Sequence, residues 1–197
     1  DLFSSAEKVV PDSARVHYQL GNLAFEDELY TASEEHLLVA MQIAPTFVIA
    51  QVKLGDLYAK DKNFEKAIGT YEDLLYQLSA IDTHKSIIEQ TRQMVTFRLA
   101  EVRSRKGDLT GAEEEMKRLI SIRPNEIVGY VAMAELLMDA GRAPEALPYL
   151  KKAIELRPDA ERALYILCQA AVIANDKGEV SLEHNGVSVD LVQRPGA

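Results

Sequence analysis

Residues 53–75 read KLGDLYAKDKNFEKAIGTYEDLL. Apolar and small residues recur here at helical spacing, and the polar link KDKN (60–63) separates two such runs. Gly55 and Ala67 fall inside the apolar faces, where a larger side chain would be the usual choice. A small residue at a helix crossing lets two backbones approach while large neighbours fill the space around it. Overpacking such a point costs about 1–3 kcal/mol. The stretch therefore reads as two antiparallel helices nested on their smallest side chains.

The same arrangement recurs along the chain. QLGNLA (19–24) repeats as KLGDLY (53–58), placing Leu20-Gly21 and Leu54-Gly55 at a spacing of 34. Ala40 and Pro45 follow Gly21 at intervals that also separate Leu119 and Pro124 from Ala100, and Ala153 and Pro158 from Ala134. These residues resemble the tetratricopeptide repeat, a 34-residue pattern of a large residue, Leu-Gly, Tyr, Ala, Phe, Ala and Pro. The units start at Ala14, Val48, Gln93 and Ile127.

The second unit carries Leu54, Gly55, Tyr58, Ala67 and Tyr71; the first has Ser33 in place of the mid-repeat Ala. The resemblance implies an all-α fold, a right-handed superhelical solenoid of antiparallel helix pairs. It divides 1–177 into a half repeat (1–13), repeats 14–47, 48–81, 93–126 and 127–160, and a capping helix (161–176).

Two segments depart from this pattern. Eleven residues are inserted near DTHKSIIEQTR (82–92), about three helical turns, so an apolar face keeps its phase. Ile87, Ile88, Met94 and Val95 are expected to continue that face, with a longer helix pair and a break near Asp82–Thr83. The extra turns serve either as a partner surface or as a cap on neighbouring surface. In the tail (178–197) the period changes from 3.6 to 2 on either side of Asn185-Gly186, the signature of a β-hairpin. Such a tail docks elsewhere, stays mobile or begins a further domain.

Composition narrows the function. Apolar residues make up 47% of the 197 residues, enough for a packed core. A net charge of −9 disfavours nucleic acid as a partner. No apolar run approaches the roughly 20 residues of a spanning helix, so direct membrane insertion is not expected. A single cysteine, Cys168, forbids an internal disulfide and fits the cytoplasm or a bacterial periplasm. The start at Asp1 points to a processed product or a piece of a longer protein.

No catalytic, cofactor or metal site is expected. His17, His36, His84 and His184 are scattered, and neither a phosphate loop nor a paired Cys motif is present. EEE (113–115) reads as a solvated face, and Cys168 and His17 read as interior packing. Pro144 and Pro148 are expected in a first helical turn.

In repeats of this kind the first helix of each unit lines a concave wall, and the resemblance carries its groove positions onto named residues. The first unit offers Arg15, Tyr18, Gln19, Asn22 and Phe25; the second Lys53, Asp56 and Lys60; the third Phe97, Arg98, Glu101 and Arg105. Five cations beside three aromatics on one wall suit an acidic peptide or an amphipathic helix. The clamp by which some relatives hold a chaperone's C-terminal carboxylate is matched only at Asn22 and Arg98, so that ligand is not expected. The leading expectation is a non-enzymatic scaffold for another protein. The alternatives are a homo-oligomer stacked through its end faces, and the docking or regulatory part of a larger enzyme.

Overall fold

A computed structural model describes residues 13–81, 85–176, 183–184 and 187–188. The expected half unit at 1–13 (apart from Ser13), the expected break near Asp82–Thr83 and most of the tail lie outside the described residues. The helices are α1 (Ala14–Glu26), α2 (Tyr30–Ile43), α3 (Val48–Lys60), α4 (Phe64–Ser79), α5 (Lys85–Lys106), α6 (Leu109–Ile122), α7 (Ile127–Asp139), α8 (Ala143–Leu156) and α9 (Glu161–Asp176). A two-residue ladder pairs β1 (Glu183–His184) with β2 (Val187–Ser188), antiparallel, with His184 opposite Val187. The chain forms two compact units, Asp1–Ala112 and Glu113–Ala197.

In the first unit α1 packs on α2, α3 on α2 and α4, and α4 on α5. The small residues do what their positions require. A Cβ added at Gly55 would stand 2.7 Å from Cζ and 2.9 Å from Cδ1 of Tyr71. One added at Gly21 would stand 2.9 Å from Cγ of Leu37. Both facing side chains are buried, so neither can yield easily. Ala67 is fully buried at the mid-repeat position, and Ser33 is fully buried in its place in the first pair. The Ser33 hydroxyl is satisfied there because it donates to the carbonyl of Gly21 at 2.7 Å.

The second unit repeats the scheme with α7 on α8 and α9 on both. Met133, Ala134, Ala146, Leu150, Ala153 and Ala163 are fully buried. A Cβ on Gly129 would stand 2.9 Å from Cγ1 of Ile120, a close approach outside the Leu-Gly pattern.

Each first helix ends in the same left-handed turn. The N–H groups of Glu28 and Leu29 bond to the carbonyls of Phe25 and Ala24; those of Lys62 and Asn63 to Ala59 and Tyr58. Gly107 and Asp108 bond likewise to Ser104 and Arg103, and Gly141 and Arg142 to Met138 and Leu137. This double closure satisfies carbonyls that the helix end leaves open. It needs positive φ at its pivot: 60° at Glu28, 61° at Lys62, 92° at Gly107 and 73° at Gly141. Asn63 and Asp108 then cap the following helices, accepting from the N–H groups of Lys66 and Gly111.

Four expectations are corrected. Helix α5 has 22 residues against 13 in α1, α3 and α7, but its apolar face divides. Val95 is fully buried and Ile88 half-buried, while Ile87 and Met94, each one position earlier, are exposed. One position is about 100° of helix, enough to carry a side chain off the packed stripe. Cys168 is exposed, not packed inside. Its counterparts Gly21 and Gly55 face the second helix of their own pair, and among the described residues no helix follows α9. Pro148 lies beyond the first turn of α8 and inside the helix. It is exposed, so the Pro144 carbonyl that loses its partner can turn to water. Glu115 is buried beside Arg118 at 3.2 Å, so 113–115 is not one solvated face.

Candidate functional site

Helices α3 and α5 present matching faces because their residues align in the repeat. Lys53, Asp56 and Lys60 on α3 correspond to Arg98, Glu101 and Arg105 on α5. These six, with Phe25 of α1 and Tyr71 of α4, line a cleft of about 360 Å³ in the first unit. Ala59 and Val102 complete its lining.

The floor is an ordered polar chain. Tyr71 donates its hydroxyl to Oδ1 of Asp56 at 2.5 Å, and Nη1 of Arg98 donates to the same oxygen at 2.8 Å. Burial and then the hydrogen bond to Asp56 push the Tyr71 hydroxyl well above its ordinary pKa, so it stays neutral. The tyrosine that packs on Gly55 thus also fixes the carboxylate at the centre of the cleft. Its hydroxyl is what a phenylalanine at this repeat position would lack.

The walls carry cations against aromatic faces. Lys53 Nζ lies 4.3 Å and Lys60 Nζ 4.9 Å from the centroid of Phe25. The guanidinium of Arg105 lies 5.4 Å from the Phe64 centroid and donates to the Ala59 carbonyl at 3.0 Å. Such contacts hold long side chains in place while their charge stays available. Four cations face two carboxylates in the lining, an excess of two positive charges in a chain of net charge −9. Exposed Glu26 and Glu28 sit at the rim, 4.0 Å from Lys53 and 3.3 Å from Lys60. Pairs so open to solvent are worth little and exchange readily.

Of the twelve groove residues expected from the sequence, seven meet in this cleft: Phe25, Lys53, Asp56, Lys60, Arg98, Glu101 and Arg105. The other five do not line it. Tyr18 packs edge-on against Phe47 at 5.5 Å, Asn22 is half-buried, and Arg15, Gln19 and Phe97 are exposed. The sequence reading missed Tyr71 as a lining residue and Phe64 as the support of Arg105.

A second cleft of about 520 Å³ opens beside the α1–α2 turn, lined by Glu28, Tyr30, Glu34, Tyr58 and Asp61 among others. Its chemistry is internally closed. Tyr58 donates to Glu34 at 2.6 Å and Lys66 pairs with the same carboxylate at 3.1 Å. The Tyr58 hydrogen bond, helped by Lys66, holds the Glu34 carboxyl below the usual range against the opposing effect of burial. His17 is buried with its Nδ1 3.1 Å from Nδ1 of His36. Among the described residues no group of three His, Cys, Asp or Glu side chains is placed to hold a metal ion. No described helix is long and apolar enough to cross a membrane.

The tetratricopeptide-repeat family pattern matches residues 52–86 and 131–179. Protein O-mannosyl-transferase TMTC3 of Homo sapiens is 24% identical over 159 residues, 79% of this chain and 17% of that protein. A Caenorhabditis elegans protein O-mannosyl-transferase is 31% identical over 93 residues, 47% of this chain and 13% of its own length. The chain thus spans under a fifth of these relatives. Among solved structures, YrrB, a repeat protein of the same family with an unusual peptide-binding site, superposes with a TM-score of 0.56 at 16% identity. The superposition covers 89% of this chain and 94% of YrrB, and places this chain in the all-α superhelical repeat fold.

Proposed function

The chain is built of tetratricopeptide repeats, and from that premise we propose that it is a non-catalytic scaffold holding a segment of another protein in the α3–α5 cleft. The observation that carries this reading is the cleft itself, where two helices of successive pairs set equivalent polar side chains facing one open space. Lys53 and Lys60 rest on Phe25 and Arg105 on Phe64, so these three of its four cations are held in place before a partner arrives. The peptide-binding site of YrrB supports the class of partner. Charge reversal tests the reading: Lys60→Glu with Arg105→Glu leaves the Asp56–Arg98–Tyr71 floor intact. Partner proteins captured from native lysate by the wild-type chain are lost with this double variant. Undiminished capture by a folded double variant rejects the cleft.

A second reading is favoured by the named relatives: the repeats serve as the docking part of a larger transferase. Removing residues 13–176 from the longer protein then changes which acceptor proteins receive mannose while transfer to a short acceptor persists. Unchanged acceptor choice rejects this reading.

A further inference from the structure

We propose that the His17–His36 contact is an acid-sensitive latch, joining α1 to α2 while one proton lies between the two rings and opening when a second must enter. The two side chains meet Nδ1 to Nδ1 at 3.1 Å. Their ring centroids are 5.4 Å apart and their planes are tilted by 37°, so the rings meet edge to edge and do not stack. At this separation two lone pairs repel each other, and so do two N–H groups; a single shared proton is the stable arrangement. In the neutral pair one ring therefore carries its hydrogen on Nδ1 and the other on Nε2. A first added proton settles on the outer Nε2 of the donor ring and makes the bond charge-assisted. A second one sets N–H against N–H and charge against charge. His17 is buried and His36 half-buried, so water screens this repulsion less than it would at the surface. The two steps belong to the pair and to neither ring alone.

The charged groups of the surrounding helices are committed elsewhere or face solvent. Helix α1 packs on α2 and α3, and α2 on α3. On α1 and α2 the residues three and four positions from each histidine carry no charge, and Arg15 and Glu35 are exposed. Glu34 is taken by Tyr58 and Lys66 and its carboxyl is held below the usual range, so it stays charged in mild acid. From α3, Lys53, Asp56 and Lys60 pair with Glu26, Arg98 and Glu28. Histidine is the side chain of these three helices that changes charge between about pH 7.5 and pH 5. The latch also reaches the cleft, because α1 carries the Phe25 ring on which Lys53 and Lys60 rest. It stands whatever occupies that cleft.

In the unfolded chain both rings charge freely below about pH 6.5, whereas the closed pair excludes one of those protons. The native state then binds fewer protons, so the latch is secure above that pH and weakens as pH falls through it. One excluded proton changes the opening equilibrium by up to about tenfold per pH unit. Amide hydrogen exchange of the full chain between about pH 7.5 and pH 5, corrected for the intrinsic pH dependence of exchange, reads this opening. Opening of α1–α2 is expected to rise at least about tenfold over that range relative to α7–α8, which holds no histidine. His36→Gln gives His17 a neutral partner whose amide can donate or accept, and it abolishes the excess; His17→Gln does the same from the other side. His184→Gln, in β1, keeps the wild-type response. Nitrogen-15 spectra of the imidazoles near pH 7.5 are expected to show His17 and His36 as opposite tautomers.

Equal responses of α1–α2 and α7–α8 overturn the latch, and so does an excess that survives in a folded His36→Gln or His17→Gln variant. Two Nε2–H tautomers at neutral pH overturn it as well, since no proton then lies between the rings. If neither variant folds, wild-type exchange and the nitrogen-15 spectra decide together: an excess in α1–α2 with opposite tautomers upholds the latch, and any other combination overturns it.

Discussion

Replacing Gly55 by alanine tests the packing rule on which the fold rests. In an ordinary helix the change gains about 1 kcal/mol, because alanine loses less backbone entropy than glycine. Here the new methyl group meets the Tyr71 ring at 2.7–2.9 Å. Tyr71 is 1% exposed and tied by its hydroxyl to Asp56, so the ring cannot retreat without breaking that bond. Overpacking costs about 1–3 kcal/mol, and a lost hydrogen bond to a charged acceptor about 1.5–3 more if the ring is displaced. The net expectation is destabilisation by about 1–3 kcal/mol. Gly69 is the internal control: it lies in α4, and a Cβ there meets nothing within 4 Å. Gly69→Ala should stabilise by up to about 1 kcal/mol. Urea unfolding followed by far-ultraviolet circular dichroism reads both as midpoint shifts of opposite sign at unchanged slope. On the Gly55→Ala background, Tyr71→Leu should cost less than it does alone, a coupling between touching residues. Equal gains from Gly55→Ala and Gly69→Ala would refute the nesting argument.

Other perturbations have definite signs. Pro148→Ala restores an interior helical N–H in α8 and should stabilise by about 2 kcal/mol, after allowing for the stiffer unfolded chain that proline provides; thermal or urea melts measure it. Gly141→Ala forces a methyl group into a turn with φ of 73° and should cost about 1 kcal/mol, whereas Lys62→Gly, at 61°, should be neutral to stabilising; the pair is compared by urea midpoint. Burial and hydrogen bonds to carboxylates raise the hydroxyl pKa values of Tyr58 and Tyr71. Their contribution is therefore complete below the unfolded tyrosine value of about 10 and is lost as pH rises above it. Urea midpoints measured on either side of pH 10 should fall more steeply for the wild type than for Tyr58→Phe/Tyr71→Phe.

Much of the fold was legible because the helix pairs repeat one packing solution. Leu-Gly at 20–21 and 54–55 marks where a helix must be narrow, and the structure puts Leu37 and Tyr71 there. Seven cleft residues were legible for the same reason, since equivalent positions in successive units face the same way. What escaped depended on neighbours that periodicity does not name. Ile87 and Ile88 are equally apolar, and only the packed neighbours of α5 decide which is covered. Cys168 occupies a buried position of the repeat, yet burial needs a second helix. Tyr71 reads as a large packing residue, and its hydrogen bond to Asp56 requires knowing that α3 and α4 bring the two together.

Amide hydrogen exchange of the full chain, with and without a captured partner segment, shows whether the segment sits in the α3–α5 cleft. Added protection is expected in α3 and α5, residues 48–60 and 85–106, with little change in α8 and α9. Protection confined to α8 and α9, or absent from α3 and α5 while the segment is bound, would contradict that placement.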